Sequence, residues 1–337
     1  MKTPLFGLLP EEIAETLDLK PAFRGRQIFS HIHRGRTDPS AMTDIPALLR
    51  ERIVEKSQVF VTEVRESHED TDGTKKLLIG LPDGKAVEAV VLLDQNGRKT
   101  ACLSTQVGCG MACAFCRTGL MGLKRNLEVY EIVEEFIHLE AAFGEMDTIV
   151  FMGMGEPLNN AENVKKAITI LHHPEGRNLG MRRFTISTSG IVPEIERLHD
   201  FSKEVKLAVS LISPDPAVRA SLMPVQRSYG FDELRRALSS YAEQTGNRVT
   251  LEYVLLKGVN DREEDVRLLS RYIRGLSVMV NLIPWNPVPE LSLEAPSLRD
   301  SEQFLHRLEE AGIPATMRIK KGRGILGACG QLAVFDQ

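Results

Sequence analysis

Three regimes of hydrophobic patterning follow one another along the chain. Up to about residue 60, apolar positions recur at three- and four-residue spacing in PEEIAETL, RGRQIFSHIHR and IPALLRERIVEKS, with GRTDPS breaking the run. That period predicts a small helical module over 1–60. The pattern then changes to alternating or continuous apolar runs, VFVTEVR, KKLLIGL closed by PDGK, and VEAVVLL closed by DQNGR. These predict a β extension over 61–95. From 96 to 337 the two periods interleave. Strand candidates TACLST, MDTIVFM, RRFTISTS, VKLAVSLI, NRVTLEYVLL, VMVNLIP and IPATMRIK are separated by helical segments such as LEVYEIVEEFIHLEAAF, AENVKKAITILHH, VPEIERLHDF, FDELRRALSSYAEQT, REEDVRLLSRYIRG and SEQFLHRLEEAG. Repeated β-α units predict the α/β class: a parallel sheet covered by helices, as an open doubly wound sheet or a full or partial barrel. Reactive residues are then expected at the C-terminal strand ends, where the loops gather.

Composition narrows the function classes. With 42% hydrophobic and 26% charged residues, the 337-residue chain reads as an ordinary globular protein with a large core, which excludes a disordered or fibrous one. No window reaches the roughly 18 consecutive apolar residues of a membrane span. The start turns acidic before a signal-like apolar core is complete, so no membrane partner and a cytoplasmic location are expected. A net charge of −4 gives no global basic signature, so a nucleic-acid surface would have to be local. Two runs could supply one: residues 20–36, with Lys20, Arg24, Arg26, Arg34 and Arg36, and residues 318–323, RIKKGR. Each reads equally as a solvated face or as an RNA backbone contact.

The five cysteines are too few, odd in number and too bunched for a secreted disulfide scaffold. Cys109, Cys113 and Cys116 follow C-x3-C-x2-C in a loop between a strand and the helix that begins near Glu128. Three thiolates so close can wrap one iron-sulfur cluster, and on a four-iron cubane they leave one iron without a protein ligand. A structural zinc would need a fourth ligand, either Cys102 or a distant histidine. Other motifs have local readings of their own. The glycines of FMGMGEP permit close backbone approach to a ligand and Glu156 can pair with an ammonium group, although a plain glycine turn accounts for the motif equally. Alternation in KAVEAVVLL puts Glu88 on a solvent face opposite valines. Trp285 reads as a core or loop anchor, and Cys329 as a small buried apolar residue.

The C-x3-C-x2-C spacing resembles the signature of the radical SAM superfamily. VGCGMACAFCRTGLMGLKRNL, FMGMGEPLNN, RRFTISTSGIVP, LAVSL, LMPV, EYVLLKGVND, NLIPWNP and ACGQL, in this order, resemble the RlmN/Cfr RNA methyltransferases over nearly the whole chain from FRGRQIF onward, with MGEPL and IPWNP on the RlmN side. The resemblance implies a partial (β/α) barrel of the radical SAM type, 96–337, carrying the catalytic-cysteine segment, joined to an RNA-binding helical module and a β extension. It implies a 4Fe-4S cluster on Cys109, Cys113 and Cys116 whose open iron binds S-adenosyl-L-methionine. Gly155 and Glu156 would bind the methionine part, with Ser187, Ser210, Leu211, Ile212 and Asn286 as further contacts. It also implies two S-adenosylmethionine molecules per turnover. The first methylates Cys329; the second yields the radical that activates that methyl group to add to an adenine carbon. Cys102 then frees the product by forming a disulfide with Cys329, and Glu88 accepts the departing proton.

The expected activity is therefore methylation at carbon 2 of an adenosine in 23S rRNA, with tRNA as a further candidate, by a monomer served by an electron donor such as flavodoxin or ferredoxin. An electron-poor amidine carbon cannot attack a sulfonium, which is why a radical cofactor is needed. Rival readings are methylation at carbon 8, as in Cfr relatives, a paralogue with another RNA target, and a non-catalytic zinc-stabilised RNA-binding protein. The chain departs from the family pattern twice. It reads GRGILGAC where G-D-D-I-D-A-A-C is common, so that Arg323, Gly324 and Leu326 replace acids, and it has Ile212 where histidine is usual.

Overall fold

The structure, a computed structural model, describes residues 2–318 and 321–335. After a short strand β1 (Thr3–Pro4) come helices α1 (Pro10–Thr16), α2 (Phe23–His33) and α3 (Ala47–Lys56), and the chain returns through β2 (Ser57–Gln58), which pairs with β1 in parallel. Strands β3 (Glu63–Glu69), β4 (Lys75–Gly80) and β5 (Ala86–Leu93) form an antiparallel meander that joins β6 (Lys99–Cys102). A small ribbon of β7 (Gln106–Gly108) and β8 (Leu123–Asn126) encloses the cysteine loop and the one-turn helix α4 (Arg117–Leu120).

The β/α part follows. Helices α5 (Val129–Phe143), α6 (Ala161–His172), α7 (Val192–Phe201), α8 (Pro216–Leu222), α9 (Phe231–Thr245), α10 (Glu263–Ile273) and α11 (Leu298–Glu310) alternate with strands β9 (Thr148–Phe151), β10 (Phe184–Thr188), β11 (Lys206–Ser210), β12 (Val249–Leu255), β13 (Val278–Pro284) and β14 (Ala315–Met317). The ten-stranded sheet runs β14-β13-β12-β11-β10-β9-β6-β5-β4-β3, parallel from β14 to β6 and antiparallel from β6 to β3. The order is an α/β sheet with an antiparallel extension on one edge, and among the described residues β14 has no second neighbour, so the sheet they form is open.

Two boundaries differ from the periodicity. VFVTEVR becomes a strand only at Glu63, because the amides of Val61 and Thr62 donate to the fully buried Glu134 carboxylate of α5 (3.0 and 2.7 Å) instead of entering a ladder. The Thr62 hydroxyl adds a bond of 2.6 Å to the same carboxylate. Losing Glu134 would orphan both amides, at about 1–3 kcal/mol for each one left buried, while the Thr62 hydroxyl keeps His138 Nε2 at 2.9 Å. Helix α11 starts at Leu298, ahead of SEQFLHRLEEAG, since Ser297 and Asp300 form a reciprocal cap. All seven residues of the edge strand β3 are exposed and four are charged, Glu63, Arg65, Glu66 and Glu69, which blunts the edge against pairing with another chain.

The helical module docks through aromatic contacts, Phe29 meeting His173 edge-on at 4.9 Å and Phe60 stacking on His138 at 4.8 Å. His33, at the end of α2, stacks 4.2 Å from Phe29 and meets Phe6 edge-on at 5.3 Å, and neither ring nitrogen has a partner among the described residues. Burial, with Arg177 and His173 nearby, pushes its pKa down to about 3. A neutral histidine is therefore built into the junction. Below pH ~6.5 the unfolded chain takes up a proton that the folded chain refuses until about pH 3, so stability falls as pH falls through that window. We expect about 2 kcal/mol lost by pH ~5, a slope of about 1.4 kcal/mol per pH unit. Urea unfolding of His33→Phe across pH 7.5 to ~5 should show this component removed; an unchanged slope would refute the assignment.

Candidate active site

The cysteine loop is held by backbone bonds that only particular residues allow. Gly108 has φ +74°, and a Cβ there would lie 1.9 Å from the Gly122 carbonyl, so the approach of β7 to β8 requires glycine. One residue on, the Cys109 amide donates to that same carbonyl (3.1 Å). The Ala114 amide reaches Leu222 O at the end of α8 (2.8 Å), and the Trp285 indole N–H donates to Phe115 O (2.9 Å). Trp285 is thus an anchor of the loop, almost fully buried.

Cys109, Cys113 and Cys116 line a cavity of about 150 Å³ at the C-terminal ends of the parallel strands. All are free thiols. Burial pushes the Cys109 thiol up to about 12 and the Cys113 thiol well above its ordinary value, with Cys116 adding to both. Such thiols stay protonated unless a metal's positive charge holds them as thiolates. Among the described residues no three Cys, His, Asp or Glu side chains converge on a point suited to a single ion. Three thiols spread around an open cavity fit a polynuclear cluster instead. Cys102, offered by the zinc reading as the fourth ligand, lies on β6 outside the cavity lining, with Cys329 as the thiol that bears on it.

The opposite wall is polar. Gly155 adopts φ +108°, and a Cβ there would meet Gln106 Cβ at 2.6 Å. Gln106 in turn accepts from the Glu156 amide at 2.9 Å. The Glu156 carboxylate accepts from the amides of Ser189 (2.7 Å) and Leu158 (3.1 Å), while burial raises its pKa. Ser187 and Ser210 present hydroxyls from the ends of β10 and β11. Asn286 donates to Cys329 O at 3.2 Å, leaving its own buried Oδ1 unpartnered, as is Ser189 Oγ. Unsatisfied buried polar atoms around a cavity are what a bound polar ligand such as S-adenosylmethionine would complete.

The expected site residues do not all meet the cavity. Leu211 and Ile212 are fully buried and do not line it; Ile212 has φ +63° and its carbonyl accepts from Asn260 Nδ2 (2.6 Å). Glu88 also lies outside the lining, and it is buried rather than solvent-facing: its carboxylate contacts Lys76 Nζ (2.6 Å) and the Ala333 amide (3.0 Å). Alternation misread its side because both faces of β5 are covered, Val87 and Ala89 being as inaccessible as Val90.

Cys329 does line the cavity. Its segment is tied to the cysteine loop by Arg117 N to Gly330 O (2.8 Å) and Thr118 Oγ1 to Leu332 O (2.6 Å). Burial pushes the Cys102 thiol up to about 12, raised further by Cys329 and pulled the other way by Arg318. Residue-level reading missed Arg318, Glu252 and Lys76. Arg318 shares the cavity wall with Cys329 and Glu252, and Cys329 is the largest influence holding the guanidinium charged. Its only signal was membership of RIKKGR, read as an outward basic run. In fact Lys321 also turns inward to bond Leu93 O, whereas Arg323 is exposed; Ile319 and Lys320 lie outside the described residues.

Residues 103–269 match the Radical SAM superfamily. The chain is 48% identical to the probable dual-specificity RNA methyltransferase RlmN of Treponema pallidum, over 97% of this chain and 96% of that protein. It is 39% identical to the dual-specificity RNA methyltransferase RlmN of Sorangium cellulosum, over 99% and 96%. Its fold is similar to the crystal structure of a radical SAM methyltransferase from Sphaerobacter thermophilus, with TM-score 0.93, 42% identity and coverage of 98% and 99%.

If the three loop cysteines alone carry the metal, Cys113→Ala should lose most of the iron and the visible absorbance after anaerobic reconstitution, while Cys102→Ala and Cys329→Ala keep both. Iron analysis of the three variants decides; loss of iron in Cys102→Ala would reinstate a four-thiolate site.

Proposed function

The chain belongs to the RlmN family of radical SAM RNA methyltransferases, and from that premise we propose that it methylates carbon 2 of an adenosine in 23S rRNA, with tRNA as a second substrate. The observation that carries this reading is the placement of Cys329, from the far end of the sequence, on the cavity wall it shares with Cys109, Cys113 and Cys116, with Cys102 beside it. A monofunctional cluster protein has no use for that fourth thiol. A 4Fe-4S cluster on the loop cysteines, together with two S-adenosylmethionine molecules per turnover, would supply the methyl group and the radical chemistry that an electron-poor carbon demands.

The remaining roles belong to the chain. The φ of Gly155 lets the backbone approach the methionine moiety without a Cβ, and Glu156, fixed by two amides, offers its free lone pairs to the ammonium group. Ser187 and Ser210 supply hydroxyls on the same wall. Asn286 holds the carbonyl of Cys329 and so sets where its sulfur points. Cys329 accepts the first methyl group on its sulfur, with the Arg318 guanidinium on the same cavity wall. Release requires four events: the target hydrogen leaves as a proton, for which Glu88 is the acceptor; the Cys102 thiol gives up its proton and its sulfur bonds the Cys329 sulfur; the bond from that sulfur to the new carbon breaks with its electron pair going to the carbon; and the carbon takes up a proton to become the methyl group. Reducing thiols then reopen the disulfide.

The exposed arginines of the helical module, Arg26, Arg34 and Arg36, support an RNA backbone contact. No helix among the described residues is long and apolar enough to cross a membrane. An RNA-modifying role fits a cytoplasmic enzyme fed by flavodoxin or ferredoxin, and because one chain carries every group named here, a monomer suffices.

Nucleoside mass spectrometry of 23S rRNA and tRNA from cells with and without the gene should show 2-methyladenosine only when the gene is present. Detection of 8-methyladenosine, or no change, overturns the reading. Cys102→Ala should accumulate an RNA–protein adduct that Cys329→Ala cannot form; free turnover by Cys102→Ala would remove its resolving role.

A further inference from the structure

The Glu88 carboxylate sits in a setting unlike that of the other buried acids around the site. Glu135, Glu156 and Glu252 have no cation within ion-pair distance among the described residues, and burial pushes the pKa of each upward. Glu88 instead meets Lys76 Nζ at 2.6 Å, both side chains being almost wholly inaccessible. The pair follows from the sheet. In the β4–β5 register Lys76 lies opposite Val90 and Leu78 opposite Glu88, so Lys76 and Glu88 are diagonal neighbours on one face. Across the next strand Val90 lies opposite Cys102, which extends the same row from Lys76 through Val90 to the resolving thiol.

The second carboxylate oxygen is held by the Ala333 amide at 3.0 Å, four residues beyond Cys329. Of the titratable groups on the elements packed around Glu88, besides Lys76, Glu66 and His68 of β3, both exposed, and Cys102 of β6 share its face of the sheet; Lys75 and Lys99 alternate onto the other face; and α5 carries Tyr130, His138, Glu140, Glu135, bound to the Ser104 amide, and Glu131 and Glu134, bound to Arg125 and Thr62. Residues 330–335 bring none. Lys76 is therefore the one cation in contact with the carboxylate among the described residues.

We propose that Lys76 is a positioning residue for product release: its ammonium keeps buried Glu88 an aimed carboxylate, able to accept the proton that leaves the methylated carbon. The inference rests on the reading of Glu88 as that acceptor. In this step the C–H bond at the adenine carbon breaks, its electron pair stays with the ring, and the proton goes to Glu88, which becomes a neutral acid beside an ammonium that stays charged. Without Lys76 an ionised carboxylate beside Leu78 and Val90 would have no cation, and such a group meets burial by taking up a proton beforehand. It could then accept no other. The earlier events need no base, so formation of the adduct should not depend on Lys76.

The test follows single turnovers on an RNA substrate with reconstituted enzyme, scoring iron, Cys329 methylation, adduct formation and adduct release. Lys76→Gln should form adduct at the normal rate and release it at least ~10-fold more slowly, with the acid limb of the release profile moved to higher pH. Lys76→Arg should restore most of the rate and the profile, because the charge is retained. Release by Lys76→Gln at the wild-type rate and pH dependence overturns the proposal. So does equal slowing in Lys76→Arg and Lys76→Gln without a pH change, since that is what a merely structural role predicts. Glu88→Gln separates the two readings: normal release in this variant removes Glu88 as acceptor, whereas slow, pH-independent release in Glu88→Gln beside wild-type behaviour of Lys76→Gln removes Lys76 alone. If Lys76→Gln fails to hold iron, Lys76→Met/Glu88→Gln, which removes both charges, should regain it. A double variant still lacking iron would give Lys76 a folding role and overturn the assignment.

Discussion

Strand β6 bonds an antiparallel neighbour on one edge and a parallel one on the other, and its four residues must satisfy both registers at once. Cys102 is fixed opposite Val90 of β5 and opposite Val150 of β9. From that double register the rest of the site takes its place. One residue further, Leu103 exchanges backbone bonds with Val150 and Gly153, and Ser104 receives Met154 N on its hydroxyl while donating to Glu88 O. The chain then turns into the β7–β8 ribbon that encloses Cys109, Cys113 and Cys116. A shift of one residue in β6 would turn Cys102 to the other face and dismantle the row that links it to Lys76 and Glu88.

Much of this was legible in the sequence, and what was not has identifiable causes. Elements with a clean period were readable: α5, α6, α9 and each parallel strand lie where apolar spacing puts them. The cysteine segment was readable as a loop because residue spacing is a local property. Glu88 was misread by alternation, since a strand covered on both faces has no solvent side for a period of two to report. Arg318 was invisible because a run of cations looks the same in sequence whether it points out or folds inward. Lys76 needed the β4–β5 register, a non-local fact. The entry into β3 was misplaced because a buried glutamate 73 residues away takes the amides that would have started the ladder.

The charges around the site are arranged by sign. Burial holds the thiols of Cys102, Cys109 and Cys113 protonated, and for Cys102 the Arg318 charge pulls the other way. Glu88 has its own cation. The interior thus holds several reactive groups that remain quiet until assembled with a partner, a sensible condition for a protein that must tolerate a radical within reach of its own side chains.

The segment before Cys329 lacks the acids usual in its relatives, yet carboxylates still face its backbone. Asp72 accepts from Gly322 N (2.7 Å) and Asp70 from Gly324 N (2.8 Å), both from the β3–β4 turn. A Cβ at Gly324 would come within 2.9 Å of the Asp70 carboxylate. Turn and loop are therefore a matched pair in this chain. A chimera that imported an acid-rich loop against this turn would set like charges face to face, whereas one that imported both pieces would inherit a compatible interface.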